Sequence, residues 1–363
     1  MKLFSCQNCA RIVYFENDHC ENCQTRLGYL PDLQTLSAIT PSGDAFLAMA
    51  DPEGRYRPCA NAEHEACNWM VRSDEPGAFC VACRHNRTVP DLSVEENLHR
   101  WRKIELAKHH LFYTLLRLGL RPANREDAPD SGLAFDFLSD AGEIAAPVLT
   151  GHDHGLITLN LIEADDGERE QIRQKMGEPY RTLLGHLRHE VGHYFWEELV
   201  ERGDRAAAFR ACFGDERTDY AAALQAYYTN GPTMDWQSNF VSAYASSHPW
   251  EDFAETWAHY FHIVDTLEMA GAFGLRVRPN VPASVSPEAE LDAAAAELDD
   301  INALIDLWLP VTFAVNSINR CMGQPDLYPF ILTPSVIAKL GFIHDLVHGR
   351  LPTKGMHGVP AIT

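Results

Sequence analysis

The amino-acid sequence predicts an α+β chain in which a mainly helical domain with a small sheet follows short cysteine-rich modules. Three observations carry that prediction. Eight of the ten cysteines fall in paired spacings near the N-terminus, two β-like runs lie between residues 132 and 161, and long stretches around them carry apolar residues at helical period.

The cysteines come first in chain order. Cys6-x-x-Cys9 with Cys20-x-x-Cys23 forms one quartet, and Cys59 and Cys67 with Cys80-x-x-Cys83 form a second, looser one. Each C-x-x-C is a tight turn that points two thiolates at one ion, and two such pairs close a tetrahedron, so two structural Zn²⁺ sites are expected. Residues 1–30, the first zinc ribbon, are too few to bury a core, so the metal would supply their folding free energy. Disulfides are the rival use of such cysteines, but no secretory signal accompanies them. Cys212 and Cys321 stand alone and read as buried small hydrophobes. Residues 31–90 read as a linker or short strands, punctuated by Pro31, Pro41, Gly43, Pro52 and Gly54, followed by the second four-cysteine module.

A main domain is expected over residues 91–350, with a tail at 351–363. Its first helix spans Asp91 to about Leu120, with Leu98, Trp101, Leu106, His109, Phe112 and Leu116 approximating one apolar face. Gly132–Leu138 and Gly155–Leu161 read as strands, and the glycine-flanked Gly151-His152-Asp153-His154-Gly155 as a turn. Beyond residue 270 the pattern predicts an alanine-rich helix from Pro287 to about Leu309 and further helices over 311–349.

The most informative stretch lies between these elements. Leu187-Arg188-His189-Glu190-Val191-Gly192-His193 contains H-E-x-x-H inside a predicted helix from Pro179 to about Arg202, whose apolar stripe is Leu183, Leu187, Val191, Phe195 and Leu199. Residues four apart share a helix face, so His189 and His193 can offer ring nitrogens to one ion, while Glu190, turned about 100° away, suits a general base. Gly192 lets another backbone approach closely. A catalytic zinc needs a third protein ligand, and His248 to His262 carries Glu251, Glu255, His259 and His262 on one helical face. Glu251, Glu255 or His259 could be that ligand, or the whole acidic face could be solvated.

With these residues the chain resembles the gluzincin branch of the zincin metallopeptidases. Glu251-Asp252-Phe253-Ala254-Glu255 is similar to the third-ligand helix of peptidases of the anthrax lethal factor type and of the bacterial glucose-regulator titration-factor type. The resemblance implies that Glu251 is the ligand and that Glu255 hydrogen-bonds a ligand imidazole. Tyr244, seven residues before Glu251, matches the place of a tyrosine that stabilises the oxyanion, a role His259 could share. Over nearly its whole length the chain resembles a bacterial family of zinc-binding metallopeptidases that join an N-terminal zinc ribbon to an H-E-x-x-H domain. Arg57-Pro58-Cys59-Ala60-Asn61, Cys67-Asn68-Trp69 and Gly177-Glu178-Pro179-Tyr180-Arg181 are further phrases it shares. The resemblance implies a zinc-dependent peptidase with one catalytic and two structural zinc ions, acting on peptide or protein substrates. In zincins a sheet edge receives substrate backbone, and Gly155–Leu161 is the candidate edge, or else an interior strand.

Composition limits the alternatives. Lys and Arg number 30 against 51 Asp and Glu, a net charge of −21, so the overall field repels nucleic acid despite the cluster Arg84, Arg87, Arg100, Arg102 and Lys103. The N-terminus shows no seven-residue apolar run, and no stretch approaches eighteen apolar residues, so a cytoplasmic protein without membrane association is expected. The competing function is a non-catalytic, zinc-stabilised interaction protein whose ribbons bind a protein partner.

Overall fold

The computed structural model describes residues 2–139, 148, 150–169, 182–280, 288–292, 295 and 297–352. The chain forms two compact units, Met1–Glu170 and Gln171–Thr363.

In the first unit the short strands β1 (Phe4–Ser5) and β2 (Ile12–Val13) pair beside the first cysteine quartet. The strands β3 (Leu27–Leu30), β4 (Thr35–Ser42), β5 (Ala45–Ala48), β6 (Asp51–Pro58) and β7 (Met70–Arg72) make an antiparallel sheet in sequential order. A parallel bridge between Tyr29 and Trp69 ties the first strand to the residue before the last. Residues 31–57 are therefore strands rather than a linker, because Leu30, Ile39, Ala48, Tyr56 and Met70 bury one face as a shared core.

The helix α1 (Glu95–Arg117) buries Trp101, Ile104, Leu111, Phe112 and Leu116. Leu106, expected on that face, is exposed. A second sheet contains β8 (Asn86–Thr88), β9 (Ala134–Leu138), β10 (Gly151–Asp153) and β11 (Leu156–Asn160) in the order β10-β11-β9-β8. The segment Gly155–Leu161 thus supplies an interior strand, hydrogen-bonded to β10 on one side and β9 on the other, and it has no free edge for substrate. Its alternation of buried Ile157 and Leu159 marks it as a strand, but only pairing decides which strand lies outermost. Only His154 and Gly155, both at positive φ, make the turn expected over Gly151–Gly155, since Gly151–Asp153 is strand β10.

In the second unit α2 (Leu183–Phe195) begins at Thr182, whose hydroxyl accepts from the Gly185 amide at 2.9 Å. The expected start at Pro179, with the rest of Gly177–Arg181, lies outside the described residues. Leu187 and Val191 are fully buried, and the helix widens into a π turn over Trp196–Glu201. Two shorter helices follow, α3 (Ala206–Phe213) and α4 (Tyr220–Asn230). The central element is α5 (Pro249–Ala272), with His248 accepting from the Trp250 amide and Pro249 in its first turn. Two further helices, α6 (Ile301–Cys321) and α7 (Pro334–Val347), pack nearby. Lys339 of α7 reaches the buried carboxylate of Asp252 on α5 at 2.6 Å.

Three expectations change here. Of the helix expected from Pro287 to about Leu309, the described residues form one only from Ile301, capped by Asp300, while Ala289–Glu290 instead pairs with Arg276–Val277; Pro287 and residues 293, 294 and 296 lie outside the described residues. Cys321 is exposed rather than buried, and Cys212 is half-buried. α6 is long and apolar enough to cross a membrane, although Asp306, Asn316 and Asn319 interrupt its apolar run; Leu304, Ile305, Trp308 and Val311 pack inward while Phe313 and Ile318 are exposed.

The contact of α2 with α5 positions everything that follows. A Cβ added to Gly192 would stand 3.1 Å from the Ala254 Cα and 3.3 Å from Trp257, and Phe195 stacks on Trp257 at 5.0 Å between ring centroids. Gly192→Val is expected to cost about 2 kcal/mol or more by forcing the helices apart. Chemical denaturation of wild type and variant measures this, and equal midpoints would refute the close-approach account.

Candidate metal centre

His189 and His193 leave α2 one turn apart and meet Glu251 from the first turn of α5. Their Nε2 atoms are 3.2 Å apart, and Glu251 Oε2 lies 3.0 Å from His189 Nε2 and 3.5 Å from His193 Nε2. All three side chains are buried, Glu251 to 1% exposure. Glu255, one turn further along α5, takes the other nitrogen of His189: its Oε1 is 2.8 Å from Nδ1, and its Oε2 accepts from the Ser242 hydroxyl at 2.6 Å.

In the neutral form that a metal ligand takes, these contacts place the proton of the His189 ring. A carboxylate accepts only, so Nδ1 carries the hydrogen and Nε2 presents a lone pair. That lone pair then faces a second imidazole nitrogen and a carboxylate oxygen. Two imidazole nitrogens and a carboxylate oxygen converging in a buried pocket are a donor set for a cation, and the residues fit a zinc ion. The described residues offer two further sets, the two cysteine quartets, together with a Cys83, Glu105 and His109 group.

The charges follow the same geometry. Burial opposes ionisation of Glu251, but the neighbouring imidazoles of His193 and His189 outweigh it and hold the carboxyl well below the usual range. Burial is likewise outweighed at Glu255, where the His189 bond lowers the pKa to about 2.

Glu190 points its carboxylate to a partner that sequence reasoning missed. Its Oε1 is 3.1 Å from His186 Nε2, one helical turn earlier, and this contact keeps Glu190 ionised against the effect of burial. Spacing of i and i+4 was the available signal. A second missed residue is Tyr220 at the start of α4, whose hydroxyl donates to Glu251 Oε1 at 2.6 Å. Nothing in the local sequence marks it, since 31 residues separate the two. Tyr244 is also here, its ring 6.0 Å from that of His189, and burial followed by the charge of Glu251 raises its pKa well above the usual phenol range.

His259 is not part of this convergence. Its Nδ1 contacts the Tyr328 hydroxyl at 2.7 Å, its ring packs on Phe330, and burial lowers its pKa to about 4. His262 sits against Arg188, which also pairs with Asp265.

The first unit holds the cysteines. In the first quartet the Cys6 and Cys23 sulfurs are 3.7 Å apart and those of Cys9 and Cys20 3.6 Å, too far for the roughly 2.05 Å of a disulfide and right for a shared ion. Each knuckle closes alike: the Ala10 amide bonds the Cys6 carbonyl and the Gln24 amide that of Cys20, with Ala10 and Gln24 both at positive φ. Cys59, Cys67, Cys80 and Cys83 also converge, with Cys67 and Cys80 3.8 Å apart and the Cys80 amide 3.3 Å from the Cys59 sulfur. His109 of α1, read from sequence as an apolar-face residue, joins this second cluster at 3.3 Å from Cys67 and 3.5 Å from Cys83.

Comparison with known proteins agrees with this layout. Residues 97–346 match a family described as "Putative zinc-binding metallo-peptidase", and residues 3–94 match a zinc-ribbon domain. Uncharacterized proteins of Mycobacterium bovis and of two strains of Mycobacterium tuberculosis are each 42% identical over 353 residues, covering 97% of both chains. No solved structure matches.

Proposed function

Since the chain belongs to the zinc-binding metallo-peptidase family that it matches over residues 97–346, we propose that it hydrolyses peptide bonds at the centre formed by His189, His193 and Glu251. The observation that carries this reading is the pairing of three convergent acceptors with a separate, ionised carboxylate, Glu190, on the same helix. A scaffold needs the first and has no use for the second.

When bound by these residues, zinc supplies a Lewis acid that polarises the substrate carbonyl and makes water easier to deprotonate. Glu190 accepts the proton from the attacking water and returns it to the departing amine nitrogen. His186 holds the Glu190 carboxylate in one orientation, so the base is in place before substrate arrives. Glu255 and Ser242 fix the ring of His189, and Tyr220 fixes the carboxylate of Glu251. Tyr244, whose phenol stays protonated, is the donor for the oxyanion of the tetrahedral intermediate. The two cysteine quartets take one structural zinc each, giving three ions per chain.

Metal content tests the assignment directly. Wild type should carry about three zinc ions and His189→Ala about two, the cysteine centres being unaffected. Glu190→Gln should keep all three while cleavage of a mixed peptide pool, followed by mass spectrometry, slows about 10²- to 10⁴-fold. Undiminished cleavage would remove Glu190 from the role of base.

Glu255→Gln probes the support of His189 separately. Zinc affinity at this centre should weaken about 10- to 100-fold in chelator competition. Unchanged affinity would show that the Glu255 contact orients nothing.

A further inference from the structure

The second cysteine cluster contains one donor more than a tetrahedral ion can use. His109 Nε2 stands 3.3 Å from the Cys67 sulfur and 3.5 Å from that of Cys83. Nδ1 of the same ring lies 2.7 Å from the Glu105 carbonyl oxygen, which can only accept, so Nδ1 carries the hydrogen and the neutral ring turns a lone pair toward the sulfurs. That is the ligand tautomer, held by an outer hydrogen bond in the way metal-binding histidines are held. The spacing agrees: Zn–S of about 2.3 Å and Zn–N of about 2.0 Å at the tetrahedral angle put nitrogen and sulfur about 3.5 Å apart.

The four sulfurs are not equivalent. Cys59, Cys80 and Cys83 are buried, whereas Cys67 is half-buried. Cys67 also lies outside the C-x-x-C knuckle and lines, with His109, Trp69, Arg102 and Leu106, a cavity of about 360 Å³. It is therefore the thiolate that solvent and small reagents reach first, and it is the sulfur nearest to the imidazole nitrogen.

We propose that the second cysteine cluster is a five-donor metal site in which His109 takes the coordination position of Cys67 whenever that thiolate leaves the ion. The helix α1 contributes this donor from beyond the segment that matches the zinc ribbon, residues 3–94, so the centre is completed by the chain that follows it. The retained ion keeps Cys59, Cys80 and Cys83 gathered against α1.

Full-length Cys67→Ala, His109→Ala and the double variant test this after exhaustive dialysis against a chelator, with zinc counted relative to wild type. Each single variant should match wild type and the double variant should hold one ion fewer. Loss of an ion from Cys67→Ala alone means that His109 does not substitute. Loss from His109→Ala alone makes it an obligatory ligand, and retention in the double variant assigns the place to another donor such as Glu105; each of these overturns the proposal. Should the double variant fail to fold, cobalt-loaded Cys67→Ala decides by itself. Its thiolate-to-cobalt absorption should fall to about seven-eighths of wild type, seven sulfurs instead of eight, against about one half if the centre empties.

Discussion

The close approach of α2 to α5 at Gly192 is the constraint on which the candidate active centre rests. Without a side chain at that position the Ala254 backbone comes near enough for a residue on the first turn of α5 to reach imidazoles on α2. The convergence has a cost, since a buried carboxylate among acceptor nitrogens loses several kcal/mol of hydration. Packing along the same interface offsets it. Val191, Phe195, Phe253 and Trp257 are buried there, and each such side chain contributes about 1.5–3 kcal/mol.

The supporting contacts show how little freedom the centre has. His189 is fixed through Glu255 and Ser242, Glu251 through Tyr220, and Glu190 through His186. Glu255 acts on one nitrogen of His189 and Tyr220 on one oxygen of Glu251, and each leaves the other atom of that side chain facing the centre. Binding a metal needs only the first two; holding the Glu190 carboxylate is what the proposed role of a base adds.

The first unit solves a different problem with similar chemistry. Its sulfur clusters stand beside an apolar core in which Phe15, Tyr29, Trp69 and Tyr113 pack as one aromatic group. Three of the five basic residues that the sequence places near the second cluster are engaged by carboxylates: Arg87 by Asp136, Arg100 by Asp165, Arg102 by Glu65.

Sequence alone determined whatever is local in the chain. His189, Glu190 and His193 share a short stretch of helix, Glu251 and Glu255 share another, and each C-x-x-C is its own turn, so period and spacing exposed them. Tertiary structure decided the rest, because the deciding distances join residues far apart in sequence. It placed Glu251 against the Nε2 atoms and Glu255 behind His189, drew His259 to Tyr328, brought Tyr220 to Glu251 and His109 to the cysteines, and buried β11 between two neighbours. Periodicity tells which face of an element is apolar or polar. Which partner meets that face depends on how the helices and strands pack.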